Sequence, residues 1–199
     1  MTKYPPRPLL DQYLYRLVDE LVRDNPQSLS HIRSSSILFV AGAARRTNRA
    51  SIRPFRYSSK SEDADYVKPH VQVDGRRILY EICLRPLFFL EGTTDTRIST
   101  IAHELWHISD KFDGTLEESR RHKNKSQTEF EREVTQILKN AQISENVRKI
   151  FSYEGELLLQ AWRQRPPSRI KTGSNERTMY DESDLYRSVV IQKNDSLIK

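Results

Sequence analysis

Apolar and polar positions alternate along this chain in two rhythms, and the rhythm changes mark its elements. Leu10, Leu14, Leu17, Val18, Leu21 and Val22 recur at helical spacing, and Asn25-Pro26 closes that helix. Ile37-Leu38-Phe39-Val40 is a short apolar run of β character, and Ile52, Phe55 and Tyr57 predict a second strand. Val71-Gln72-Val73 and the run 78–84 flank Asp74-Gly75, a hairpin signal because Gly accepts the positive φ that a tight turn requires. Pro86 ends the second of these strands, and Leu87-Phe88-Phe89-Leu90 carries apolar bulk into the next segment.

A helix follows over 97–110, with Thr93, Thr94 and Asp95 offering cap oxygens. At 100° per residue, Ile98, Ile101, Leu105 and Ile108 fall on one side of it. Further helices are predicted over 128–142, through Phe130, Val134, Ile137, Leu138 and Ala141, and over 147–162. The second of these would bury Ile150, Phe151, Leu157, Leu158 and Trp162, and Arg165-Pro166-Pro167 stops it. Residues 168–183 read as polar and extended, and Leu185–Ile191 as a late strand or a docked tail. The sum is an α+β chain, with a domain over 1–165 and a polar C-terminal extension over 166–199.

With 199 residues the chain is long enough for one core. Hydrophobic residues make up 36% and the mean hydropathy is −0.73, which predicts a modest core with solvated loops. The longest apolar run, 37–44, is far short of the roughly 18 residues that span a bilayer. The first residues carry no apolar leader, and the lone Cys83 has no internal disulfide partner. These features predict a soluble, cytoplasmic protein with no membrane partner. The net charge of +6 is uneven, because Arg45, Arg46, Arg49, Arg53, Arg56 and Lys60 lie within 43–60 with no acid among them. That stretch is either a solvated loop and edge strand or a face for phosphate or an acidic protein.

The helix over 97–110 carries the chemistry. His103-Glu104-Leu105-Trp106-His107 sets two imidazoles one turn apart, opposite the apolar stripe, where both can reach one ion. Glu104, beside the first, is placed to take a proton from water on that ion. Zinc in a catalytic site takes three protein ligands and leaves a fourth position open, so a third ligand is needed. Asp113, Glu117, Glu118, Glu129, Glu133 and His122 are the candidates, with Gly114 offering the turn for a returning chain.

Together with Ser109, Phe112-Asp113-Gly114, His122 and Ser126-Gln127, this segment resembles a metallopeptidase family of bacteria and phages. The likeness extends upstream through Pro69-His70-Val71, Gly75 and Ile78-Leu79-Tyr80, and echoes weakly at Asp184-Leu185-Tyr186. The resemblance implies a zincin-like fold, a small mixed or antiparallel sheet packed on the metal helix and followed by further helices. It also implies that His122 joins His103 and His107 as the third zinc ligand, with Asp113 in reserve. In such a fold an edge strand borders the cleft, where an extended peptide adds as a further strand. The expected activity is zinc-dependent hydrolysis of peptide bonds by metal-bound water activated by Glu104, with a peptide or protein as substrate. Arg120, Arg121 and Tyr153 are candidates to stabilise the oxyanion. The alternative is a metal-stabilised binding module that meets DNA, or a DNA-bound protein, through Arg45, Arg46, Arg49, Arg53 and Arg56.

Overall fold

In the computed structural model, residues 7–42, 48–57, 65–120 and 127–191 are described. The N-terminal helix α1 (Leu10–Asp24) turns at Asn25 into the short α2 (Pro26–Leu29). Asn25 is buried because its amide bridges two helices, donating to Leu21 O at 3.0 Å and Ile137 O at 3.1 Å. β1 (Ile37–Ala41) and β2 (Ala50–Pro54) follow, then β3 (Tyr66–Val67), β4 (His70–Val73), β5 (Arg76–Ile78) and β6 (Tyr80–Leu84). Two helices come next, α3 (Pro86–Leu90) and α4 (Thr94–Trp106). After them lie α5 (Gln127–Asn140), α6 (Glu145–Phe151), β7 (Leu157–Trp162), β8 (Ile170–Lys171), β9 (Met179–Tyr180) and β10 (Leu185–Ile191).

The fold is α+β, and one three-stranded sheet positions the site. β6 is its centre, parallel to β1 (Ile37 opposite Tyr80, Ala41 opposite Leu84) and antiparallel to β2 (Ala50 opposite Leu84, Pro54 opposite Tyr80). All five residues of β6 are buried, as a strand covered on both faces must be. One face packs Phe39, Ile82 and Leu84 with the apolar stripes of α1 and α4 in the main core. The other face packs Leu38, Val40 and Cys83 with Val71, Val73, Ile78 and Leu185 in a smaller one.

The Asp74-Gly75 hairpin forms as expected, with φ of 50° and 73° and Val73 opposite Arg76. Its second strand is shorter than the run 78–84 suggested. The ladder stops at Ile78, Leu79 bonds to Ser36 O at 2.8 Å, and Tyr80 begins β6 in the other sheet. The helix expected over 147–162 needs a larger correction. It ends at Phe151, and residues 157–162 form β7, paired antiparallel with β10. Leu157, Leu159 and Ala161 are buried on one face and Gln160 on the other, while Leu158 and Trp162 are half-buried. Partner strand β10 lies over twenty residues away, so local spacing could not reveal the pairing. The polar stretch expected over 168–183 supplies β8, which pairs with β3, and β9, which runs parallel to β4. Among the described residues, no helix is long and apolar enough to cross a membrane.

Candidate metal centre

α4 is seated by its own sequence. Thr93 caps it, its Oγ1 accepting from the Thr96 N–H at 3.2 Å, and Ile98, Ile101, Ala102 and Leu105 face the core. Arg97 enters that core too. Its guanidinium donates to Phe88 O (2.9 Å), Phe89 O (2.6 Å) and Phe151 O (2.5 Å), so it ties the ends of α3 and α6 to α4. At the far end Arg120 donates to Trp106 O and Ile108 O, both at 3.1 Å, and to Asp110 Oδ1 at 2.8 Å. Arg120, one of the three oxyanion candidates, thus caps the helix C-terminus.

His103 stands on the last turn of α4 and His107 caps it. Their Nε2 atoms lie 3.1 Å apart, a hydrogen bond when one of the two carries its proton, with ring centroids 4.8 Å apart and planes at 74°. Two imidazoles on one tetrahedral zinc, with bonds of about 2.0–2.1 Å, place their nitrogens roughly 3.4 Å apart. The donor pair therefore fits such an ion. Among the described residues, no third His, Cys, Asp or Glu joins them. Asp113 uses its carboxylate locally, Oδ1 accepting from Thr115 N (3.1 Å) and Thr115 Oγ1 (2.7 Å). Glu133 accepts from Trp106 Nε1 at 2.5 Å. His122 and Arg121 lie outside the described residues, as do Arg45, Arg46, Lys60 and the side chain of Glu129.

Glu104 points from α4 toward β2. Its Oε2 accepts from the Ile52 N–H at 2.8 Å, and the side chain is buried. Burial pushes its carboxyl up to about 7, with the Ile52 bond and the charge of Arg85 pulling the other way. Two cavities of about 360 Å³ each open between α4 and β2 and share Asn48, Ala50 and Glu104. One reaches His103, the other His107.

β2 is thus the edge strand beside both histidines, but its free edge is largely occupied. The Ile52 N–H serves Glu104, Ala50 O accepts from Asn48 Nδ2 at 2.9 Å, and Pro54 has no N–H. A peptide adding as a full further strand would find few open partners there.

After α4 the chain folds back through Phe112 (φ 48°) and Gly114 (φ 88°). Ile108 bridges to Leu116, and the Glu117 N–H reaches His107 O at 2.9 Å. Gly114 is required at that turn, because a Cβ there would press on the Arg56 side chain at 3.1 Å and strain the backbone.

The basic segment is not one solvent face. Arg53 donates to Glu81 Oε2 and to Pro166 O, both at 2.6 Å, so its charge is held inside the fold. Its place opposite Glu81 in the β2–β6 ladder explains this. Arg49 instead lines the cavity with His103 and Glu104, and its buried Nε has no hydrogen-bond partner among the described residues. Sequence reasoning grouped Arg49 with its basic neighbours and missed this role. The one sequence signal was its position just ahead of the predicted second strand. Comparison with protein-family models, curated proteins and solved structures finds no match to this chain.

Proposed function

We propose that this chain is a zinc-dependent peptidase of zincin-like architecture, with His103, His107 and His122 as metal ligands and Glu104 as the base. The observation that carries this reading is the convergence of His103 and His107 Nε2 at 3.1 Å beside a buried glutamate in a groove. A purely structural zinc site closes its fourth position and has no use for a base in that place. The described residues flanking 121–126 also favour His122. Arg120 is bonded to the carbonyl next to His107, and Glu131 and Thr135 of α5 line the cavity that contains His103.

A bound zinc would supply the Lewis acid and bring a water molecule's pKa to about 7. The chain's own groups do the rest. Ile52 holds Glu104 by one carboxylate oxygen, leaving the other to take a proton from water and pass it to the leaving amine. Arg49 brings a fixed cation to the same cavity, where negative charge develops on the substrate carbonyl. Its guanidinium is always charged, so it needs no proton transfer to act.

The test is turnover of an unstructured protein by the zinc-loaded chain and by Glu104→Gln. The variant keeps the shape and the Ile52 bond but has no base. It should retain zinc and lose activity by about 10²–10⁴-fold. Undiminished turnover in zinc-loaded Glu104→Gln would sink the mechanism.

A further inference from the structure

The face of the sheet turned away from α4 carries a second cluster of charge. Glu81 is fully buried and accepts from Arg53 Nη2 (2.6 Å), Trp162 Nε1 (2.6 Å) and Arg165 through Nε (3.1 Å) and Nη2 (2.5 Å). Just past the end of β6, Arg85 is only 5% exposed, and its Nη2 donates to Ser51 Oγ at 2.9 Å. The Arg85 Nε is buried with no hydrogen-bond partner among the described residues. Two guanidinium groups, those of Arg53 and Arg165, therefore share the one Glu81 carboxylate, and among the described residues the Arg85 side chain has only the neutral Ser51 hydroxyl as its partner.

Between Arg85 and Arg165 lies a cavity of about 250 Å³, walled also by Gly42, Cys83 and Trp162, with no acid among the described residues that line it. Among the described residues, no acid is hydrogen-bonded to Arg85. Burial pushes the Cys83 thiol up, so it stays neutral. Glu104 feels the Arg85 charge from the other side of the strands, but its hydrogen bond goes to Ile52. An arginine cannot shed its proton to escape burial, and a buried N–H without an acceptor is costly. A ligand anion resolves both.

We propose that this cavity binds a phosphate monoester, with Arg85 as the floor contact and Arg165 as the cation at the mouth. Two arginines lining one cavity, Arg85 and Arg165, favour phosphate over carboxylate. A phosphate monoester carries about −1.5 to −2 at neutral pH, against −1 for a carboxylate. The volume is just below the roughly 300–1,000 Å³ of drug-sized pockets, which suits a phosphate on a small body. Arginine N–H groups bond phosphate oxygens strongly. Glu81 holds the Nε and Nη2 of Arg165, which leaves its Nη1, and this half-exposed side chain gives the anion its way in. The site lies across the sheet from the metal centre and does not depend on the peptidase reading.

The experiment follows the Arg85 side-chain Nε–Hε resonance in ¹⁵N-arginine-labelled protein while inorganic phosphate replaces chloride at constant ionic strength. Phosphate should produce a saturable shift at that resonance, and acetate a far weaker one. Arg165→Gln should bind phosphate about tenfold more weakly or worse, with its amide spectrum as the check on folding. A response that never saturates, or one equal for acetate and phosphate, would overturn the proposal, and so would unchanged binding in a folded Arg165→Gln. Should that variant not fold, the titration of the unaltered chain decides alone.

Discussion

Glu81→Gln is the substitution that most directly probes how the sheet is held. The variant keeps the side chain's size but replaces a charged, four-bond acceptor with one carbonyl oxygen and an N–H₂ group aimed at guanidinium donors. Removing one partner of a buried ion pair costs about 3–5 kcal/mol, because the other charge stays buried. Here the two arginines differ. The Arg53 side chain is 12% exposed and cannot reach water without disturbing β2, whereas Arg165 is 44% exposed and can swing out. Arg165's share is therefore small, and the expected loss is about 3 kcal/mol, the lower end of that range. Against a typical total of about 5–15 kcal/mol this is a large fraction. Urea unfolding followed by tryptophan fluorescence measures it, and Trp162, bonded to Glu81, reports locally. Glu81→Leu combined with Arg53→Met should lose less than Glu81→Gln, because no unpaired charge remains next to β2. A Glu81→Gln variant within about 1 kcal/mol of the parent would refute the reasoning, since neutral hydrogen bonds alone contribute that much.

Arg97→Met should cost about 3 kcal/mol in the same assay, because three buried carbonyls of Phe88, Phe89 and Phe151 lose their donor; an unchanged midpoint would mean water replaces it. The Asp74 carboxyl is held below the usual aspartate value, chiefly by its bonds to Arg187, so this tie of β10 to the hairpin is intact at neutral pH. It is lost as pH falls through the lowered value, and side-chain NMR should show that Arg187→Gln moves the titration back toward about 3.9. Cys83, 2% exposed and with its thiol pushed up by burial, should react with alkylating reagents at neutral pH far more slowly than the thiol of the unfolded chain. Labelling at the rate of the unfolded chain would contradict its burial.

Local features were legible in the amino-acid order. The α1 stripe, the Asp74-Gly75 turn and the paired histidines of α4 each depend on neighbours within a turn or two. What escaped depends on distant partners. The run 78–84 looks like one strand, yet Leu79 hands the chain from the hairpin to the central sheet, where β6 lies between β1 and β2. Residues 157–162 are as apolar in a strand as in a helix, and only β10 decides between them. The candidate site divides the same way. His103, Glu104 and His107 follow from their spacing, whereas Asn48 and Arg49 join them because β2 runs alongside α4. Glu81 carried a faint signal, a single acid inside an apolar run, that marks a buried ion pair in retrospect.

The metal content of the purified protein tests the central claim most directly. After purification with added zinc and exhaustive dialysis, the parent chain should hold about one zinc, measured by elemental mass spectrometry. His103→Ala and His122→Ala should each lose it, with circular dichroism showing that both remain folded. A folded parent chain without zinc, or stoichiometric zinc in His103→Ala, would contradict a metal centre built on the His103–His107 pair.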